Sequence, residues 1–535
     1  MSIIVSKRKT VKTISLHILL SASFLYSLQS SAALKTDSDK TPAPSIFNGS
    51  ISPSYSSPES DIFFDTETYT ADLEKQEVIK GLLKSGITLF RKGEKAKGIN
   101  DLKKAWTLAP NMASTGVTLA MHYIKNSQYT LAIEVAKKQK STFPTKPYAS
   151  NIEGFAYQGL KDNKKSVAAF TQALKINPGN STASLALAEF AIKDNNLKQA
   201  KKLYIDVLNH NPINMPTLLL LSKLNLAQGN NSETEKQINK AIKVAPDTAL
   251  FHNGFAKIYQ LIQEYPKALI EINKALKIEP DNAANQFLLA KLLVSNNQLD
   301  DSRALLKKLA KSYPDKAEPR ELEGRIALAQ NKPQEAIQLL QAALNIRENT
   351  SATMHLATAQ ILSGEIELGL TTLRQQVKKE PENILLRKLF AEHLRKQNQT
   401  NEAIQQYKEI ISHQPNNILV LNNLSWLLAQ QGNIEPALEY IQKAHDAMPL
   451  NPLIMDTYSL ILMKKERYIQ AKELLNKAMM SAPNNLSIQF HLSQVLLKLN
   501  KDKAAKNLLN KLLNLKKPFA EQQEAEQLLK SLIPQ

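Results

Sequence analysis

Proline returns along this chain at an almost constant interval, and that interval limits the fold more than any other feature. It stands at Pro110, Pro144, Pro178, Pro212, Pro246, Pro280 and Pro314, each 34 residues after the last. Glu348 holds the next place. The series resumes one residue early at Pro381 and keeps the 34-residue step through Pro415, Pro449 and Pro483, with a final Pro518 after 35. Proline inside a helix costs about 3 kcal/mol, so a periodic proline is a periodic helix stop. A stop at this period marks a repeated supersecondary unit rather than one globular core. The stretch Ala249–Asn282 shows the unit. Phe255, Tyr259, Leu269, Ile272, Leu276 and Ile278 recur at three- and four-residue spacing, which predicts two short amphipathic helices. Pro266 falls at the start of the second helix, where a missing N–H costs little.

Side-chain size supplies the register. With the proline numbered position 32, position 8 is Gly, Ala or Ser in all thirteen units, from Gly86 and Ala120 to Ser459 and Ser493. Position 20 is equally small, Thr234 being its one larger residue. Two helices with axes about 8–10 Å apart need small residues where they touch. Position 24 carries the compensating bulk, as at Phe170, Tyr204, Ile272, Leu340, Tyr407 and Leu475.

These three tracks resemble the tetratricopeptide repeat family from about Ile79 to Phe519, thirteen repeats in all. The chain departs from the family at position 4, where Leu82, His252 and Arg320 stand instead of the preferred Trp. It departs again at position 27, where Gln139, Val207, Leu309, Gln376, Ile410 and Leu512 replace the usual Ala. The expected fold is an all-α tetratricopeptide-repeat solenoid of about thirteen helix-turn-helix repeats over residues 73–519. A single repeat is too small to bury its own apolar face, and stacking neighbours buries a continuous one. The resemblance implies that the stack winds into a superhelix. Residues 520–535 read as a capping helix, with Leu528, Leu529, Leu532 and Ile533 on one side and Gln and Glu on the other. Repeat eight, Ala317–Asn349, is one residue short and carries Glu348 in the proline slot. We read this as a deletion tolerated in a turn, the alternative being a seam between repeat eight and the repeats that follow.

Before the repeats lie two segments of different character. Lys7, Arg8, Lys9 and Lys12 precede an apolar run from Ile14 to Leu28 and then the small residues of Gln29–Ala33. That order is a secretory signal, expected to span residues 1–33, with an uncleaved inner-membrane anchor as the alternative. The apolar run is shorter than the roughly 20 residues of a spanning helix. Residues 34–72 are rich in Ser, Pro, Thr and Asp and read as a disordered acidic linker whose apolar cluster is Ile62, Phe63 and Phe64. The expected location is periplasmic or secreted, with peripheral association with the envelope.

Charge is unevenly divided. Leu34–Val78 carries three Lys against nine acids, a net of −6, while Ile79–Gln535 is left with +21 of the total +19 once the four cations of the signal are included. A basic body points to acidic partners. For an exported chain these are acidic peptides, anionic polysaccharide or a lipid surface, and nucleic acid is not expected. With no Cys, disulfides and thiolate metal sites are excluded. The nine His are scattered without a metal-binding helix motif, and neither a phosphate loop nor a nucleophile elbow occurs. The chain reads as a non-catalytic scaffold without cofactor.

Position 9 of the first helix, which in this family faces the concave groove, holds Lys223, Lys257, Lys291 and Arg325 in four successive repeats. Glu189 precedes the series and Thr358 follows it. Asn253 lies one helical turn before Lys257 and is expected to add a hydrogen-bond donor. Trp426 holds the same position 9 in repeat eleven and is a candidate anchor for a peptide or a sugar ring. The expected function is to hold a peptide or partner protein in a basic concave groove during envelope or secretion assembly. The alternative is an accessory role in exopolysaccharide synthesis or export, with an anionic glycan in the groove.

Overall fold

The computed structural model describes residues 73–515 and 517–532. The expected signal, the acidic linker with Ile62–Phe64, and Ile533 lie outside the described residues.

Twenty-seven helices and no strands occur among the described residues, and two helices make each repeat. Repeats one to seven are built from α1 (Leu73–Arg91), α2 (Lys95–Leu108), α3 (Ala113–Lys125), α4 (Tyr129–Thr142), α5 (Tyr148–Gly159), α6 (Asn163–Ile176), α7 (Ser181–Lys193), α8 (Leu197–His210), α9 (Met215–Ala227), α10 (Asn231–Val244), α11 (Ala249–Leu261), α12 (Tyr265–Ile278), α13 (Ala283–Ser295) and α14 (Leu299–Ser312). Repeats eight to thirteen follow as α15 (Glu318–Ala329), α16 (Pro333–Ile346), α17 (Thr350–Leu362), α18 (Ile366–Lys379), α19 (Ile384–Lys396), α20 (Thr400–His413), α21 (Ile418–Gln430), α22 (Ile434–Ala447), α23 (Pro452–Lys464), α24 (Tyr468–Ser481), α25 (Leu486–Lys498) and α26 (Asp502–Asn514). The last helix, α27 (Gln522–Ser531), brings Ala525, Leu528, Leu529 and Leu532 onto Leu486, Phe490, Leu509 and Leu512 of repeat thirteen. It therefore covers the apolar end of the stack, as the sequence predicts.

Local chemistry explains the helix boundaries. Two residues after the periodic proline, an Asn caps the next first helix. The side-chain oxygens of Asn180, Asn214, Asn282, Asn383, Asn417 and Asn485 each accept from the N–H three residues on. That bond satisfies one of the free N–H groups at a helix start. Between the two helices of every repeat, one residue adopts a left-handed backbone. It is Gly93, Gly229, Gly364 or Gly432 in four repeats and a residue such as Asn195, Asn297 or Glu466 in the other nine.

The small residues sit where the register requires them. Among positions 8 and 20, Ala120, Ala188, Ser222, Ala256, Ala290, Ala200, Ala268 and Ser302 are completely buried. The bulky position 24 is buried too, from Phe170 and Tyr204 to Tyr407 and Leu475. The departures at position 27 are accommodated by their neighbours. Gln139 reaches the space above Gly116, so a Cβ on Gly116 would overlap its amide.

The described residues divide into two compact units, unit 1 ending at Pro314 and unit 2 beginning at Asp315. The division falls before repeat eight, not after it. On the far side of repeat eight the stack is continuous: Lys379 pairs with Glu348 at 2.5 Å, and Asn349 Nδ2 and Ser351 Oγ both donate to Glu321. The short repeat is thus a turn deletion absorbed by polar contacts, and the expected alternative seam at its C-terminal side is corrected.

Candidate ligand-binding face

Within unit 1 the first helices of repeats five to seven adjoin. A Cβ on Gly254 of α11 would come within 3.0 Å of the Met215 sulfur at the start of α9. Asn253 Nδ2 of α11 donates to Asn285 Oδ1 of α13 at 2.6 Å. Lys223, Lys257 and Lys291 occupy the same place on these three helices, the first half-buried and the other two exposed. Lys291 Nζ lies 4.7 Å from the centroid of the Phe287 ring, one turn earlier on α13. A cation over a ring face is attracted by its quadrupole. Leu219 and Leu226 are half-buried alongside, and Leu250 is 78% exposed. This face offers cations set among apolar side chains. At its lower end Glu189 pairs with Lys193 at 2.7 Å on its own helix.

The other expected site residues have different surroundings. Asn253 is on this face, but its amide already donates to Asn285. Arg325 belongs to unit 2, where it is half-buried. Burial lowers its guanidinium pKa, and the charge of Glu321 one turn earlier opposes that. His355 stands against it; burial first, then the charge of Arg325, pushes the imidazole down to about 4. Of the four cations of the series, the three lysines belong to one unit and the arginine to the other. Trp426 of α21 is half-buried against the core of unit 2, which uses much of its ring for packing. One repeat earlier, Glu392 at position 9 is held by Tyr407 Oη at 2.7 Å, Asn423 Nδ2 at 2.8 Å and Arg395 at 3.0 Å.

One polar constellation was not legible in the sequence. His252 of α11 lies with Nδ1 2.6 Å from Glu271 Oε2 and Nε2 2.7 Å from Asp247 Oδ1. Glu271 also accepts from Lys274 Nζ at 2.9 Å. His252 occupies the slot that the family fills with Trp, and here a hydrogen-bonded imidazole ties α11 to α12 instead. The signal was a His at position 4 with an acid at position 23 of the same repeat, which becomes meaningful only when both helices are placed. No group of three or more His, Asp or Glu arranged to hold a metal ion occurs among the described residues. Nor is any described helix long and apolar enough to cross a membrane.

Two sequence models, both described as the tetratricopeptide repeat, match the chain, one at residues 287–352 and 389–452 and the other at residues 159–212 and 462–529. The chain is a tetratricopeptide-repeat protein. Stacks of this family generally mediate contact with other proteins and are generally non-catalytic. Among solved structures, the chain is similar to one described as the APC/C hetero-tetramer Cut9–Hcn1, at 14% identity and a TM-score of 0.37, covering 85% of this chain and 96% of that one. No curated protein matches the sequence.

Proposed function

We propose that this tetratricopeptide-repeat protein is an exported scaffold of the bacterial envelope that holds an acidic, partly apolar peptide segment of a partner across the first helices of repeats five to seven. The observation that carries this reading is the placement of Lys223, Lys257 and Lys291 on adjoining helices among Phe287, Leu219 and Leu250. Cations amid partly exposed apolar side chains favour a ligand that brings both carboxylates and apolar side chains. Steering by the cations would make association fast and salt-dependent. Export rests on the basic start, apolar run and small residues at the N-terminus. N-terminal sequencing of the envelope fraction should find a chain beginning near Leu34, and a retained Met1 would make it an anchored protein instead.

The groove is tested with the double change Lys257→Glu and Lys291→Glu. Pull-down of envelope partners should weaken roughly tenfold and lose salt dependence, because fewer charge pairs remain to be screened. The same change at Lys164 and Lys202, exposed on the second helices α6 and α8, should alter binding less than about twofold. Equal losses from both pairs would show that only net charge matters. Displacement of the partner by a uronic-acid polymer, but not by an acidic peptide, would replace the peptide with an anionic glycan and make the chain an accessory of exopolysaccharide export.

A further inference from the structure

The positive charge of the repeats is concentrated in unit 1. Residues 73–314 carry 35 Lys and Arg against 19 Asp and Glu, a net of +16, whereas residues 315–535 carry 27 against 23, a net of +4. Part of this excess forms an ordered array away from the first-helix face. The second helices α10, α12 and α14 each present two lysines three residues apart in their C-terminal halves: Lys240 and Lys243, Lys274 and Lys277, Lys308 and Lys311. All six are exposed. No other repeat has lysine at both places; the corresponding pairs are, for example, Asp206 with Asn209, Ala342 with Asn345, and Lys477 with Met480.

The three helices lie beside one another. Lys267 of α12 pairs with Glu235 of α10, and Tyr313 Oη at the end of α14 donates to the Asp281 carbonyl beyond α12 at 3.4 Å. The array is therefore one surface. Its acids are mostly elsewhere or engaged. Glu233, Glu235, Asp300 and Asp301 lie in the N-terminal halves of α10 and α14, and Glu264 precedes α12 and pairs with Lys267. Glu271 holds Lys274, and Glu279 accepts from Asn282 at 2.7 Å. Asp247 and Asp281 remain in the turns at the lysine end.

Lysine in the last turn is favoured by the helix dipole in any repeat. The dipole does not account for what stands among these lysines. Val244 is 59% exposed directly after Lys243, Ile278 is 44% exposed directly after Lys277, and Ile270 is 56% exposed one turn before Lys274. Spacings of four and eight residues put Ile270, Lys274 and Ile278 on one stripe of α12. A soluble polyanion has no use for branched aliphatic side chains left in water. An anionic bilayer uses both, since its phosphates pair with the lysines and its interfacial region receives the aliphatic tips.

We propose that the exposed face of α10, α12 and α14 is a docking surface for an anionic lipid bilayer, lying peripherally on the headgroups. The first-helix face of the same repeats plays no part in it. The test is flotation of the full chain with phosphatidylglycerol vesicles. Pure phosphatidylcholine vesicles measure whatever the N-terminal apolar run contributes on its own. Lys240→Glu, Lys277→Glu and Lys308→Glu together should lower partitioning onto the anionic vesicles at least about tenfold. Val244→Ser with Ile278→Ser should lower it roughly threefold, and the loss should persist at high salt, where lysine contacts are screened. Glutamate at Lys164 and Lys202 should matter less than about twofold. Because every changed residue is exposed, helicity measured by circular dichroism should stay that of the parent chain. Three results would each overturn the proposal: no preference for anionic over zwitterionic vesicles, equal loss from the Lys164 and Lys202 changes, or no effect of the Val244 and Ile278 changes. The last would leave a site for a soluble polyanion.

Discussion

At the residue scale, the fold depends on how closely paired helices approach, and the small positions are where this is decided. Gly154 in α5 faces Phe170 in α6, and a Cβ there would stand 2.6 Å from the ring. Ser166, at position 20 of the same repeat, donates its hydroxyl to the Gly154 carbonyl at 2.8 Å, and Ser302 does the same to the Ala290 carbonyl at 2.9 Å. Serine is thus tolerated at a fully buried place because a carbonyl lies opposite it. Thr234, the larger exception, is matched by Asn225 Nδ2 at 3.1 Å. Gly154→Leu should force α5 and α6 apart and cost about 3 kcal/mol, at the upper end of overpacking penalties. Gly81→Leu in α1, with open space around its Cβ, should be neutral or slightly stabilising. Urea melts of the two variants check this, and equal melts would show that the register is misplaced. Proline spacing and residue size made this track legible in the sequence. The hydroxyl–carbonyl pairs were not, because a hydroxyl's partner lies 12 residues away on a different helix.

At the element scale, each repeat is two capped helices and one left-handed turn residue. Glycine occupies that turn in four repeats, and Asn, which tolerates the conformation best among other residues, in five. Lys161, Gln263 and Glu466 hold it at φ of 62°, 64° and 61°, with a Cβ crowded against the carbonyl. Glu466→Gly should therefore stabilise the protein by about 1 kcal/mol. Gly432→Ala, at φ 83°, should destabilise it by a similar amount. Thermal denaturation of the two variants should show shifts of opposite sign, and shifts of the same sign would mean that the turn does not demand glycine. The turn is a fourth periodic track, and it was readable in principle from the Gly and Asn at position 15. It was hidden because Ser127, Lys161, Gln263 and Glu466 interrupt it with residues that carry no turn signal.

At the scale of the whole molecule, the two units differ in charge, and unit 2 carries two histidines that should make it sensitive to acid. Unit 2 contains His355 and His393, both pushed down to about 4, chiefly by burial. For His393 the charge of Lys396 adds to the shift and that of Glu392 opposes it. A histidine that is neutral when folded takes up a proton more readily once unfolded. Its contribution to stability is whole above the ordinary value of 6.5 and is lost as pH falls toward 4. Each contributes on the order of 1–3 kcal/mol across that window. The two tryptophans allow the units to be followed separately, since Trp106 lies in unit 1 and Trp426 in unit 2. In a Trp106→Phe chain, the denaturant midpoint reported by Trp426 should fall between about pH 7 and pH 4.5. Adding His393→Gln should flatten that fall. A midpoint insensitive to pH would show that the two rings are solvated.

Proline spacing, residue size and apolar period determined the helix pair, its count, its register and the closing helix. Each of these is carried by the shape of single residues and needs no distant partner to take effect. Nearest-neighbour stacking then follows, since a repeat that cannot bury its own apolar face has only the next repeat to cover it. The tertiary structure alone decided what depends on partners 19 to 35 residues away. His252 meets Glu271, Asn253 spends its amide on Asn285, and His491 of α25 meets Asp456 of α23 at 2.7 Å. It also placed the division between the compact units at Pro314 rather than after repeat eight. Repeat period puts equivalent side chains in a line along the sequence. Whether each one remains open to a ligand depends on the polar groups that adjoining helices bring to it, and those are chosen by packing rather than by period.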